Sequence, residues 1–227
     1  MNLAGATRFV VSAALITGAT SALAATGDVA LVNQLAGNVS YTSGKESSKV
    51  TAFMKVREGD RFNVPAGAQV RIVYLQNGRQ ESYGGPAAFT AGGQQSTVQS
   101  GSQPQVSTLP AGVSQKISQT PELIQIARLG RSGGVAVRGT VRDARLNPQQ
   151  QAEVRQAKET YKKLRAQAGA DDITPELYLY AVLQDNLLYE DMKPVVEDMA
   201  RRQPGNADIA ALVEYVKVKT VPQATKQ

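Results

Sequence analysis

Residues 68–83 read Ala-Gln-Val-Arg-Ile-Val-Tyr-Leu-Gln-Asn-Gly-Arg-Gln-Glu-Ser-Tyr. Ala68, Val70, Ile72 and Tyr74 alternate with their neighbours, so they share one face of a strand. Val73 and Leu75 fall on the opposite face, which makes the centre of the strand apolar on both sides. Such a strand belongs inside a sandwich or roll rather than at an edge. Asn77-Gly78 is the pair best suited to a type I′ turn, because both central residues of that turn need positive φ. Arg79 to Tyr83 then reads as the returning strand. A one-residue slip would exchange the strand's faces, so Gly78 is expected to resist a β-branched replacement, whereas Gly92, in a polar segment, should accept one.

Upstream, from Asp28 to about Phe89, short alternating segments are separated by turn residues. Val39 and Tyr41 alternate with polar neighbours. Phe62 and Val64 do the same before Pro65-Ala66-Gly67. These segments predict an N-terminal all-β sandwich or roll over 28–93.

Five pieces stand in a fixed order here: Gly37-Asn38-Val39, Gly59-Asp60-Arg61-Phe62, Pro65 to Ala68, the turn at Asn77-Gly78, and Gly84-Gly85-Pro86-Ala87-Ala88-Phe89. Over roughly Val29 to Gly93 the pattern resembles the FecR-type periplasmic domain. The resemblance implies an all-β module used in signal reception or protein contact, with no chemistry of its own. Sigma-factor regulators of that family carry a cytoplasmic segment and a membrane helix before the domain. Here only a signal-peptide-like start precedes it, so direct control of a cytoplasmic sigma factor is not expected.

Residues 94–146 form a Gln/Ser/Gly-rich stretch. From Thr90 to Pro121 there is no aromatic residue and Lys116 is the only charge. The stretch reads either as a linker or, through Val98, Val106, Leu109 and Val113, as added strands of the β domain. A short helix fits Leu123 to Leu129. Residues 131–139, Arg-Ser-Gly-Gly-Val-Ala-Val-Arg-Gly, read as a turn and strand, without the Gly-Lys-Ser/Thr ending of a phosphate-binding loop.

Past Pro148 the apolar period becomes helical. Ala157, Tyr161, Leu164 and Ala168 form one stripe. Thr174-Pro175-Glu176 predicts an N-cap, a first-turn proline and an acidic first turn. Leu177, Tyr180, Ala181, Leu187 and Leu188 line a second helix. Met192, Val195, Val196 and Met199 line a third, in which Pro194 is expected in the first turn. Pro204-Gly205-Asn206 closes it, and Ile209, Leu212, Val213 and Val216 mark a fourth. Residues 147–219 thus predict C-terminal antiparallel helical hairpins, with 220–227 a polar tail. Over Thr174 to about Asn206 they resemble tetratricopeptide (TPR) hairpins, although the small-residue packing positions of that family fall on Tyr180, Met192 and Met199. A four-helix unit whose stripes satisfy one another is the alternative, and such a unit should fold without the β part. The expected class is α+β.

At the amino terminus Arg8 leads into the apolar run Phe9 to Ile16, and small residues end in Ala22-Leu23-Ala24. One basic residue, a short apolar run and an A-x-A ending match a secretory signal peptide over 1–24. The run is shorter than the roughly 20 apolar residues a membrane span needs. The expected location is the bacterial periplasm, with no integral membrane segment after cleavage. The sequence contains no cysteine, so neither a disulfide nor a lipid-bearing cysteine at the cleavage point is available. Hydrophobic residues make up 42% and aromatics 5%, which predicts aliphatic cores.

Histidine is absent as well. That removes Ser-His-Asp and Cys-His systems, histidine bases and nearly all zinc sites. The paired acids Asp171-Asp172, Glu190-Asp191 and Glu197-Asp198 are adjacent in sequence, whereas glycosidase carboxylates face each other across about 5 to 9.5 Å. Helix ends and a solvated face account for them. Ser114-Gln115-Lys116 and Ser47-Ser48-Lys49 lack the S-x-x-K spacing that puts serine and lysine on one helix face. Glu58-Gly59-Asp60 falls short of the six or more oxygens that calcium takes. No catalytic residue, metal or cofactor is expected, and a Ser/Lys or carboxylate hydrolase is the weakest reading.

The first reading of function is an exported adaptor or sensor that binds a protein partner in the periplasm or envelope. Tyr178, Tyr189 and Tyr215 are its contact candidates, since tyrosine offers a large amphipathic surface at low entropic cost, while Tyr180 is expected in the core. The second is an envelope-binding module that places Arg128, Arg131, Arg138, Arg142 and Arg145 against anionic lipid, lipopolysaccharide or cell-wall polymer. The net charge of +6 and pI near 9.5 raise nucleic acid as a partner, and export argues against it. Mass spectrometry of the protein from the periplasmic fraction should give an amino terminus at Ala25. A retained Met1 in the membrane fraction would contradict the signal-peptide reading.

Overall fold

A computed structural model describes residues 27–131 and 146–220; the side chains of 130 and 131 are not among them. Residues 1–24, the turn and strand expected within 131–139, and the tail beyond Thr220 therefore lie outside the described residues.

Among the described residues, ten strands come first: β1 (Asp28–Ala36), β2 (Ser40–Ser43), β3 (Glu46–Lys49), β4 (Lys55–Arg57), β5 (Arg61–Val64), β6 (Gln69–Tyr74), β7 (Arg79–Gly84), β8 (Ala87–Ala91), β9 (Ser96–Gly101) and β10 (Gln105–Thr108). Six helices follow: α1 (Val113–Ile117), α2 (Thr120–Arg131), α3 (Pro148–Gln167), α4 (Thr174–Asp185), α5 (Tyr189–Arg202) and α6 (Ala207–Thr220). The strands make two five-stranded antiparallel sheets, ordered β10-β7-β6-β1-β4 and β3-β2-β5-β8-β9. The class is α+β.

β6 is the central strand of its sheet, as its two apolar faces require. Ala68, Val70, Ile72 and Tyr74 enter the core between the sheets with Ala30, Val32, Phe62 and Phe89. Val73 turns the other way and meets Leu31, Leu109, Val113, Ile117 and Leu164. The second face is covered by helices and not by another sheet. Burying a side chain such as Leu31 or Val73 contributes about 1.5–3 kcal/mol, so neither face can be left wet.

Polar 94–108 supplies β9 and β10, one edge strand for each sheet, and Leu109, Val113 and Ile117 then pin α1 to the covered face. The segment is part of the β structure rather than a linker. Its polar composition suits edge strands, which bury little.

Aliphatic side chains do not make the whole of the sandwich core. Tyr41, Phe62, Phe89 and Tyr83 stack in sequence, with ring centroids 5.9, 4.8 and 3.8 Å apart. A low aromatic content limits how many rings there are; cross-strand pairing aligns Tyr41, Phe62 and Phe89, and Tyr83 joins them from the other sheet.

The β6–β7 connection is longer than a type I′ turn. Val73 pairs with Gln80, the Gly78 amide donates to the Tyr74 carbonyl at 2.9 Å, and Asn77 Oδ1 accepts from the Arg79 amide at 3.0 Å. Only Gly78 has positive φ, at 70°. The asparagine side chain closes the loop in place of a second left-handed residue.

α3 to α6 pack each against the next, and α2 lies against α6. Asn147 caps α3 with a reciprocal Gln150 bond. Pro194 sits in the second turn of α5, because that helix begins at Tyr189. The carbonyl it leaves without an N–H partner is that of exposed Glu190, where water can reach it. Leu187 leaves the expected α4 face: the helix ends at Asp185, and Leu187 takes φ 56° and is exposed.

The helical core also contains Phe53 from the β3–β4 connection and Ile124 and Ala127 from α2. The stripes of α3 to α6 therefore do not close on one another alone, contrary to the expectation for 147–219.

Gly78→Val should lower stability by about 1–3 kcal/mol, since it combines positive φ with a Cβ placed 3.0 Å from the Leu109 carbonyl oxygen. Gly92 is no neutral control, because a Cβ there would lie 2.6 Å from the Gln95 carbonyl oxygen. Gly84 has open space and is the proper comparison. Denaturant midpoints should fall clearly for Gly78→Val and little for Gly84→Val.

Candidate functional site

Two groups of polar and aromatic side chains stand out once the sheet and helices are in place. The first is the seam between them. A bulge between Val32 and Gln34 in the β1–β6 ladder breaks the alternation of β1. Asn33 and Gln34 consequently both reach the helical side. Asn33 Nδ2 donates to Thr174 Oγ1 at 2.8 Å, and Gln34 Nε2 donates to Asp171 Oδ2 at 2.6 Å. Arg71, paired in register with Gln34, forms an ion pair with buried Asp172.

Thr174 is the first residue of α4 rather than its cap. The Asp172 carboxylate does the capping, accepting from the Thr174 amide at 2.9 Å. Thr174 instead holds Asn33.

Two arginines grip the same α3–α4 connection from behind. Arg165 donates to the carbonyls of Asp172 at 2.5 Å and Ala168 at 2.8 Å, and also to that of Gly169. Arg202 donates to the Ala170 carbonyl at 2.9 Å. Both pair with Glu176, which is fully buried, at 3.2 and 3.3 Å. Tyr161 donates to Glu176 at 3.3 Å. Burial, then the negative charges of Glu176 and Asp198, push the Tyr161 hydroxyl up to about 12. The carboxylates and arginines balance one another, so this is a charge-compensated structural cluster. The sequence marked Glu176 only as a first-turn acid; its arginine partners lie far off in the chain, at 165 and 202.

The second group lies on α5 and α6. Tyr189 opens α5, two residues after Leu187 in its left-handed conformation. Its ring meets Tyr215 of α6 edge to face, at 6.3 Å between centroids. Lys219, four residues beyond Tyr215, places Nζ 5.9 and 5.7 Å from the two ring centres. Burial, reinforced by Tyr215, pushes the Tyr189 hydroxyl up to about 12. Both tyrosines remain half-buried.

The structure thus brings together two of the three tyrosines expected to make contact. Tyr178 lies elsewhere, packed where the helical core meets the covered sheet face, and Tyr180 is buried as expected. Of the arginine cluster, Arg128 forms an ion pair with Asp208 at the start of α6. The side chain of Arg131, and Arg138, Arg142 and Arg145 altogether, lie outside the described residues. Lys219 was not singled out in the sequence; only its place one helical turn after Tyr215 pointed to it.

The serine and lysine pieces are engaged separately. Ser114 Oγ donates to the Leu75 carbonyl at 3.1 Å, while Lys116 pairs with Asp185 at 2.7 Å and Glu153 at 3.3 Å. Burial opposes protonation of Lys116, but these two carboxylates outweigh it and raise its pKa. A lysine so held is a poor general base. Beside Arg71 a cleft of about 390 Å³ is lined by Gln34, Gln69, Ser82, Gln103 and Gln105. Arg71, the one charged residue lining it, is already committed to Ser82 at 2.7 Å and to Asp172. Among the described residues no cluster of three or more metal-ligating side chains occurs, and no helix is long and apolar enough to cross a membrane.

No protein-family model, curated protein or solved structure matches the chain.

Asp172→Ala removes both the Arg71 partner and the α4 cap and should cost about 2–4 kcal/mol. Exposed Asp171→Ala loses only the Gln34 bond and should cost below about 1 kcal/mol. Urea unfolding of the two variants checks the difference.

Proposed function

We propose that the chain is an exported, non-enzymatic periplasmic adaptor or sensor, with a FecR-like β module and a helical unit of TPR-like character, that binds a protein partner. The observation that carries the reading is the α5–α6 surface at Tyr189, Tyr215 and Lys219. Two half-buried tyrosines, locked edge to face with an ammonium group beside both rings, form a surface ordered before a partner arrives. Ordering beforehand lowers the entropic cost of association, and tyrosine is among the residues that most often dominate interface energies. The paired or packed state of Ser114, Lys116 and Glu176 favours binding over catalysis.

The envelope-binding alternative draws on the arginines from Arg128 to Arg145. It gains less support from the structure, because Arg128 is spent in part on Asp208.

The test is a pull-down from periplasm with the exported protein as bait. Tyr189→Ala and Tyr215→Ala should each reduce recovery of the partner about tenfold or more, which corresponds to the roughly 1.4 kcal/mol or greater loss of a strong contact. Recovery should change little between low and moderate salt. Steep loss with salt, and indifference to both tyrosine changes, would favour the arginine segment.

A further inference from the structure

The four edge strands of the sandwich are not alike. β3 carries Glu46 and Lys49, and β4 carries Lys55 and Arg57, with Lys55 paired to Asp28 at 3.3 Å and to Glu122 at 2.6 Å. Charges on an edge discourage pairing with another chain. β9 and β10, the remaining edges, carry none. No charged residue occurs anywhere from Ser82 to Gln115.

These two neutral edges lie on the same side of the sandwich. The connection between them is short, and the Ser96 amide at the start of β9 donates to Glu81 of β7, the strand that β10 pairs with, at 3.1 Å. All four residues of β10 are exposed. Val106 is opposite Glu81 in the ladder, so its side chain leans towards the gap between the sheets, yet it is 48% exposed. Nothing among the described residues pairs with the outer side of β10.

We infer that β10 is a self-association edge, at which a second copy of this chain adds its own β10 antiparallel and joins two five-stranded sheets into one. The occupant follows from the edge's chemistry. A strand without charge, with one apolar side chain at its centre, is complementary to itself about a twofold axis, where like charges would face each other had it carried any. Pairing satisfies the outward amides and carbonyls of both copies and brings Val106 of each under cover. The surface is separate from the Tyr189–Tyr215 surface, so one copy can hold a partner while pairing with another.

Sedimentation velocity of the purified protein should show a dimer fraction that rises with concentration and is unchanged by salt. Val106→Lys puts a charge at the centre of the edge and should return the protein to monomer, with its circular dichroism and denaturant midpoint preserved. The chain has no cysteine, so single replacements report pairing cleanly. Residues opposed across antiparallel strands have Cα atoms about 4.5–5.5 Å apart, within disulfide reach. Val106→Cys should therefore form a disulfide-linked dimer on mild oxidation. Thr42→Cys, on the opposite sheet, should not. A monomer at every concentration, a dimer that survives Val106→Lys, or cross-linking at Thr42 alone would overturn the inference.

Discussion

The rest of the structure depends on β6 having two apolar faces. Ile72 and Tyr74 need one cover and Val73 needs another, and no two-layer sandwich can provide both. The chain answers by placing a second sheet on one side and α1 with α3 on the other. Sandwich and helices are consequently not independent beads. They share a third, smaller core in which Leu31 and Val73 of the sheet meet Val113, Ile117 and Leu164 of the helices.

Polar groups then fix how the layers are aligned. Hydrophobic contact is non-directional, and the core of Leu31, Val73 and Leu164 alone would tolerate sliding. The bulge at Asn33–Gln34, the Arg71–Asp172 pair and the Asp172 cap of α4 remove that freedom, because each requires a particular register. Behind them, buried Glu176 holds Arg165 and Arg202 so that both close on the α3–α4 connection. α4 is thereby buried over most of its length.

This division explains why the polar groups of the chain look chemically promising in sequence and inert in space. Asp172 is spent on a cap and an arginine, Lys116 on two carboxylates, and Ser114 on a backbone carbonyl. Among the described residues, what stays available are a tyrosine pair with a lysine beside it and the two neutral sheet edges. These are surfaces suited to binding.

Local signals determined several of the strands and helices. The period-two pattern of Val70, Ile72 and Tyr74 gave β6, Gly78 marked the turn, and the stripes at Ala157–Leu164 and Met192–Met199 gave α3 and α5. These features depend on neighbours within a few residues, which sequence displays directly. Tertiary structure alone decided what covers Val73, that neutral 94–108 forms two edge strands, that Phe62, Phe89 and Tyr83 stack, and that Pro194 falls in a second turn. It also decided that Tyr189 meets Tyr215 while Tyr178 is drawn into the seam, and that Glu176 finds Arg165 and Arg202. Each of these joins residues distant along the chain, and their meeting is set by packing of whole elements, which no local pattern encodes.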